Sequence, residues 1–276
     1  MKKSIIVAVI SCMILLSVCG WIRMENAETE RCFIAWNSYL GYTVNEQPQM
    51  DLTYIVTNKN ITIEETIREV ILMADAGEIR ATSFDVIEGS RGTNYQLMTL
   101  SLELPELNTG VYHISEVKII EDAGKSTLYG IGMWTIEVRG EVSLDVEYGR
   151  SSFLNGVFAE YYSEIINDSN QSITVLGLDF ELENKPLQII ITESENMEIE
   201  TKQGTRVVSP RQMKFFNFQF IDVEGKPIAV EEFVVIKPFL IYEKNGERMY
   251  TTMQKTIYSP VCEESDILRY IGQGNE

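Results

Sequence analysis

A single histidine limits the catalytic chemistry that this sequence could support. A site that needs two histidines is excluded, and a nucleophilic triad would have to use His113. His113 lies between Tyr112 and Ile114 in a stretch that alternates like a β-strand, and no serine stands in a nucleophile-elbow context. We therefore expect no catalytic residue, and we interpret His113 as a partly exposed strand residue.

The glycine-containing motifs do not match a cofactor-binding pattern. Gly124-Lys125-Ser126 lacks the upstream glycine of a phosphate-binding loop. Gly130-Ile131-Gly132 lacks the third glycine of a dinucleotide fingerprint and leads into a predicted strand. The sequence therefore predicts no cofactor.

Acidic residues offer the next candidates for chemistry. Asp179, Glu181 and Glu183 recur at every second position, which places them on one face of a strand and makes them the best cation-attracting row. Calcium needs clustered loop oxygens, and Asn167 to Asn170 come nearest to that pattern, but such a turn is expected without a metal. A carboxylate pair could serve glycoside hydrolysis, yet no pair stands out among the acids. We predict no metal site.

Aromatic side chains could form a platform for a sugar or a peptide. Trp134 falls in an alternating stretch that favours a core position, whereas Trp36 is the candidate ligand contact. The other candidates are tyrosines, namely Tyr39, Tyr42, Tyr161 and Tyr162.

The N-terminus begins with two lysines and an uncharged stretch from Ser4 to Ile22. As a helix this stretch would cover roughly 28 Å, close to the thickness of the hydrocarbon core of a bilayer. Leu16-Ser17-Val18-Cys19 resembles the lipobox of bacterial lipoproteins, although it departs from that pattern at Val18. This resemblance implies lipidation of Cys19. An uncleaved membrane span and a cleaved secretion signal are the alternatives, and all three place the remaining chain outside the cytoplasm.

The charge of the exported part excludes one class of partner. Without residues 1–22 the chain keeps 21 of its 23 basic residues and all 41 acidic ones, which gives a formal charge of −20. Such a surface repels phosphates, so we expect no nucleic-acid binding.

Two cysteines, Cys32 and Cys262, lie outside the leader, near the two ends of the exported part. In an oxidising compartment they could form a disulfide, for which their Cα atoms must approach within about 7 Å. Two separate thiols are the alternative.

Apolar and polar residues alternate through most of the chain after residue 32, as expected of half-buried strands. Residues 178–183 and 216–220 show this alternation clearly. Residues 239–253 form a predicted hairpin that turns at Asn245-Gly246, and residues 110–128 form a second one.

A faint repeat indicates two domains. Residues 54–63 align with residues 163–175, and the offset of 109 residues between Asn58 and Asn167 is about the size of one immunoglobulin-like sandwich. Local signals favour a helix over residues 62–77, but the repeat favours a strand there, and we predict the strand with the helix as the alternative.

The predicted fold class is therefore all-β, with two tandem immunoglobulin-like sandwiches. We place an anchor or signal at residues 1–23 and a linker at 24–31. The two sandwiches follow at 32–140 and 141–258, and a C-terminal extension at 259–276.

The pattern resembles bacterial membrane-anchored surface proteins and lipoproteins with immunoglobulin-like or fibronectin-like domains. That resemblance implies a non-enzymatic extracytoplasmic module at the cell membrane that contacts another envelope or surface protein. The alternative is capture of a cell-wall glycan or peptide, as an accessory to a transporter.

Overall fold

The computed structural model describes residues 31–57, 67–92, 95–122, 124–140, 145–153, 158–183, 185–194, 206–228 and 233–258. Every regular element in these ranges is a β-strand, so the protein is all-β as predicted. The strands are β1 (Arg31–Phe33), β2 (Trp36–Thr43), β3 (Gln49–Val56), β4 (Ile67–Ala74), β5 (Gly77–Arg80), β6 (Ser83–Arg91), β7 (Gln96–Glu103), β8 (Gly110–Glu121), β9 (Ser126–Arg139), β10 (Val146–Phe153), β11 (Glu160–Asn167), β12 (Ile173–Asp179), β13 (Gln188–Ser194), β14 (Val207–Val208), β15 (Met213–Ile221), β16 (Phe233–Lys237), β17 (Phe239–Lys244), β18 (Glu247–Thr252) and β19 (Thr256–Tyr258).

The first nine strands form an immunoglobulin-like sandwich. One sheet has the order β1-β3-β7-β6, and the facing sheet includes β2-β9-β8-β4-β5. If β1 and β2 are taken as two halves of the first strand, this is the A-B-E-D order opposite the G-F-C order of immunoglobulin domains. Strand β2 pairs in parallel with β9.

The second sandwich repeats this plan. One sheet has the order β10-β11-β15-β13, and the other has the order β14-β12-β17-β18. In chain order, with β1 and β2 counted as one strand, β3 and β11 are each the second strand of their sandwich. Strands β4 and β12 are each the third. Of the sequence repeat, residues 54–56 lie in β3 and residues 163–167 lie in the equivalent strand β11, whereas residues 58–63 lie outside the described residues.

Two strands late in the chain return to the first sandwich. Strand β16 pairs in parallel with β2, and β19 pairs with β16, so the facing sheet of the first sandwich is extended to seven strands. Pro238 separates β16 from β17, because proline has no N–H to donate to a sheet. The run from Phe233 to Lys244 is thereby split between two sheets.

This extended sheet is shared by two hydrophobic cores. Successive side chains of a strand point to opposite faces, so Trp36, Leu40 and Tyr42 of β2 pack in the first core while Tyr39 packs in the second. In β16, Val235 joins the first core, and its two neighbours Val234 and Ile236 join the second. The two sandwiches are therefore fused side by side along β2 and β16.

Several local predictions are confirmed. Residues 67–74 form a strand, although the local capping signals favoured a helix; residues 62–66 lie outside the described residues. Packing of Val70 and Leu72 in the first core outweighs those local signals. The hairpin of β17 and β18 turns at Asn245 and Gly246, which have φ values of 54° and 81°. The hairpin of β8 and β9 is also present.

Candidate binding site at the junction of the two sandwiches

A groove of about 770 Å³ lies where the two sandwiches meet, and we call it the junction groove. One wall comes from β2, β8 and β9 of the shared sheet, and the other comes from residues 179–183, which end β12 and continue beyond it. Met133 and the exposed Val111 supply apolar surface on the first wall. Phe180 and Leu182 supply it on the second wall, so the groove combines apolar surface with polar groups.

A chain of polar contacts crosses the junction beside this groove. The Tyr39 hydroxyl donates to Oε2 of Glu137 at 2.5 Å, and Nε of Arg139 donates to Oε1 of the same carboxylate at 2.7 Å. Nη2 of Arg139 donates to Oδ2 of Asp179 at 2.9 Å. Arg139 ends β9 in the first sandwich and Asp179 ends β12 in the second, so this network connects the two bodies.

Burial and charge pairing hold these groups in defined protonation states. Burial raises the pKa of the Tyr39 phenol above its ordinary range, and the hydrogen bond to Glu137 adds to the rise. Burial of the Glu137 carboxyl opposes ionisation, but hydrogen bonds from Arg139 and Tyr39 outweigh it and its pKa lies below the ordinary value. The network is therefore a phenol, a carboxylate and a guanidinium at neutral pH.

Two aromatic rings also contact the guanidinium of Arg139. The Arg139 guanidinium carbon lies 4.1 Å from the centre of the Phe239 ring and 4.8 Å from that of Tyr250. A cation over an aromatic face is attracted by the ring quadrupole. The position of Arg139 is thus set by two carboxylates and two rings.

The acidic row predicted from the sequence lines this groove. Leu178, Phe180 and Leu182 are buried, whereas Asp179 is partly exposed and Glu181 and Glu183 are exposed, which confirms the predicted alternation. The strand predicted over this stretch ends at Asp179, however, and residues 180–183 continue beyond it. Glu181 and Glu183 are exposed, and within the described residues neither carboxylate forms an ion pair. The groove lining holds four carboxylates and one guanidinium, so the groove carries net negative charge.

The backbone beyond β12 is held against the first sandwich. Nδ2 of Asn37 donates to the carbonyl oxygen of Glu183, and the Glu183 amide donates to Oδ1 of Asn37, each at 3.3 Å. This pair of hydrogen bonds positions the second wall of the groove.

His113 also lies on the groove wall. Its side chain is exposed, and Nδ1 lies 3.3 Å from Oγ1 of Thr135. The structure therefore agrees with its interpretation as an exposed strand residue.

The aromatic candidates do not form an exposed platform. Trp134 is buried in the first core, as predicted, and Tyr39, Tyr42, Tyr161 and Tyr162 are buried as well. Trp36 is 7% exposed and packs against Trp134 and Phe233, with ring centres 6.2 and 5.1 Å apart. Trp36 lines a separate, smaller cavity rather than the junction groove.

The asparagine-rich turn is satisfied by its own hydrogen bonds. Nδ2 of Asn167 donates to the carbonyl oxygens of Gln171 and Val208, at 2.7 and 2.9 Å, and its Oδ1 accepts from Ser169. Among the described residues, no three of His, Cys, Asp and Glu are grouped so that they could hold a metal ion.

The predicted leader and the predicted disulfide involve residues outside the described ranges. Cys19 and the stretch from Ser4 to Ile22 lie there, and so do Cys262 and the predicted C-terminal extension. Cys32 lies in β1 and is partly buried, and burial raises the pKa of its thiol. No helix in the described part of the chain could cross a membrane.

Sequence reasoning identified the acidic row but missed Glu137 and Arg139. These two residues lie in β9 and reach the groove because β9 pairs with β2, about a hundred residues earlier in the chain. The sequence contains one signal that could have identified Arg139. This charged residue ends an apolar predicted strand and lies at a predicted domain boundary.

Comparisons with known proteins give no close relative. No family model and no curated protein matches the chain in sequence. The D00-D0 domain of intimin shares 8% identity, with 84% of this chain and all of that chain covered and a TM-score of 0.23. The fibronectin(III)-like modules of CbhA from Clostridium thermocellum share 8%, with 83% and 92% covered and a TM-score of 0.25. The strand order carries the immunoglobulin-like assignment, and these similarities add no argument to it.

Proposed function

We propose that this protein is a membrane-tethered, extracytoplasmic, non-enzymatic module that contacts another envelope protein through the junction groove. The observation that carries the proposal is the pair of carboxylates, Glu181 and Glu183, exposed beside apolar surface in a groove of about 770 Å³. The carboxylates and the apolar surface of this groove are complementary to an extended segment of a partner that carries lysine or arginine side chains. The sequence of the leader supports the extracytoplasmic placement.

The rigid construction of the groove supports a binding role. Its walls belong to two sandwiches that share one sheet, and Arg139 and Asn37 link the walls directly. A preformed groove loses little conformational entropy when it binds a partner. Charges on its surface would raise the association rate of a basic partner, in a manner that salt weakens.

Site-specific photo-crosslinking in the native cells tests the position of the contact. A benzoylphenylalanine residue is placed at Val111, which is exposed on the groove wall, and in a matched variant at Leu128, which is exposed and is not part of the groove lining. We expect one discrete adduct with an envelope protein from position 111 and none from position 128. Equal adducts from both positions, or none from 111, would contradict the proposal.

The extracytoplasmic placement has its own test. Protease added to intact spheroplasts should degrade the acidic body, whereas a cytoplasmic marker enzyme survives. Metabolic lipid labelling that is lost in Cys19→Ala would identify lipidation as the mode of attachment. Protection of the body until the membrane is lysed would overturn the placement.

A further inference from the structure

The two walls of the junction groove run side by side between two fixed points. At one end, Nη2 of Arg139 donates to Oδ2 of Asp179. At the other end, the Asn37 side chain exchanges two hydrogen bonds with the backbone of Glu183. The second wall therefore follows the sheet along the groove, with Glu181 midway between the two fixed points.

Two of the four carboxylates of the groove lining are already bound within the protein. Both oxygens of Glu137 accept hydrogen bonds, and Asp179 accepts one from Arg139. Moving the Arg139 guanidinium toward another carboxylate would break its contacts with both acids. Glu181 and Glu183 are therefore the carboxylates of the lining that remain for a partner.

The spacing of these two carboxylates suits an extended partner. Glu181 and Glu183 are exposed and Leu182 between them is buried, so the two carboxylates lie on the same side of their segment. In an extended chain, two residues advance roughly 6.5 Å, and the side chains of residues i and i+2 lie on the same side. Basic residues at i and i+2 of an extended partner therefore match the two carboxylates.

The first wall of the groove presents apolar side chains instead. Val111 is 48% exposed, and Met133 is partly exposed. The carboxylate of this wall, Glu137, is one of those already bound. A charged side chain against Val111 would lose water without gaining a partner, which is unfavourable. Residues i+1 and i+3 of an extended partner point to this wall and should therefore be apolar.

We propose that the junction groove recognises an extended segment in which basic and apolar residues alternate. Its basic side chains form ion pairs with Glu181 and Glu183, and its apolar side chains pack against Val111 and Met133. This inference rests on the proposed function and specifies the chemistry of the partner at the same site.

The test uses three capped peptides of identical composition and the full-length chain in phosphatidylcholine nanodiscs. Between two pairs of glycines, the peptides carry the order Lys-Val-Lys-Val, Lys-Lys-Val-Val or Lys-Val-Val-Lys. The two lysines lie on the same side of an extended chain only in the first peptide. Isothermal titration calorimetry measures the affinities, and empty nanodiscs provide the blank.

The alternating peptide should bind about fivefold more tightly than either rearranged peptide, because only it can satisfy both walls at once. Its advantage should decline at high salt, since exposed ion pairs are screened. Equal affinities of the three peptides would overturn the proposal.

Three variants test the two walls separately. Glu181→Gln should weaken the alternating peptide about threefold and remove its advantage, whereas Glu106→Gln, at an exposed residue outside the groove lining, should change neither. Val111→Asp adds a carboxylate to the first wall and should improve binding of Lys-Lys-Val-Val relative to the alternating peptide. Equal losses in Glu181→Gln and Glu106→Gln, or an unchanged order of affinities in Val111→Asp, would contradict the assignment of the walls.

The outcome also separates this inference from the proposed function. An envelope-protein adduct from position 111 together with equal peptide affinities would contradict the alternating pattern alone. A clear preference for the alternating peptide without any adduct in cells would instead contradict the proposed contact with an envelope protein.

Discussion

Arg139 of the first sandwich donates from Nη2 to Oδ2 of Asp179 in the second, at 2.9 Å. Each residue ends a strand, and the two strands belong to different sheets. The contact lies next to the groove in which Glu181 and Glu183 are exposed. The same ion pair therefore fixes the junction and shapes the surface that we propose as the binding site.

Replacing Arg139 with methionine should destabilise the protein. The substitution removes hydrogen bonds to Glu137 and Asp179 and the contact with the Phe239 ring. Hydrogen bonds that involve charged groups contribute about 1.5–3 kcal/mol each, and we expect the free energy of unfolding to fall by about 2 kcal/mol. Urea denaturation measures the change.

Arg80→Met is the matched control for Arg139→Met. Arg80 pairs with Glu69, but its side chain is 65% exposed. Exposed ion pairs contribute about 0–1 kcal/mol, so we expect a change below about 0.5 kcal/mol. Similar losses in both variants would show that Arg139 has no special role at the junction.

Gly132→Ala should prevent normal folding or cost more than about 3 kcal/mol. Gly132 has a φ of +82°, and a Cβ there would lie 2.2 Å from the carbonyl oxygen of Trp36. The clash falls on the parallel pairing of β2 with β9. In Gly130→Ala a Cβ meets nothing within 4 Å, so this control should change stability by about 1 kcal/mol or less. Soluble yield and urea midpoints of the two variants test the difference.

Glu46→Ala should cost more stability than Lys237→Met, although both break the same ion pair. Lys237 is only 5% exposed, and its Nζ lies 3.8 Å from the centre of the Tyr42 ring. Burial lowers the pKa of Lys237, and Glu46 opposes that effect. Without Glu46 a buried charge loses its partner, which costs about 3 kcal/mol, whereas without Lys237 the more exposed Glu46 remains hydrated. Equal losses in urea denaturation at pH 7 would contradict this asymmetry.

Acid should weaken the junction through Glu137. Its pKa in the folded protein lies below the ordinary value of 4.5, so its contribution to stability is present above about pH 4.5 and is lost as the pH falls toward the folded pKa. Asp51, which is bonded to Lys255 and Ser101, also has a lowered pKa and acts in the same direction below its ordinary value of 3.8.

The acid effect is measured by urea denaturation between pH 7 and pH 3. In Glu137→Gln the loss of stability below pH 4.5 should be smaller than in the natural protein, because one of the titrating groups is gone. An identical pH profile in the variant would show that Glu137 does not contribute.

The sequence predicted features that depend on neighbouring residues. The turn at Asn245 and Gly246 follows from residue types that accept positive φ, and the burial of Phe216, Phe218 and Phe220 follows from their alternation. The contact between β2 and β16 left no such signal, since Tyr39 and Ile236 are paired across nearly two hundred residues. Pro238, which lies within the apolar run from Phe233 to Lys244, was the one local indication that this run divides between two sheets.

The candidate site was predictable in part for the same reason. The acidic row at Asp179, Glu181 and Glu183 is visible in the alternation of apolar and acidic residues along residues 178–183, although β12 itself ends at Asp179. Its arrangement opposite Glu137 and Arg139 depends on how the two sandwiches are joined, which periodicity does not encode.

The most direct test of the proposed binding role is reversal of charge in the junction groove. With the crosslinker at position 111, Glu181→Lys should lower the yield of the envelope-protein adduct at least fivefold. Glu106→Lys, which makes the same charge change at an exposed residue outside the groove lining, should leave the yield unchanged. An undiminished adduct in Glu181→Lys, or equal losses in both variants, would contradict recognition of a basic segment by this groove.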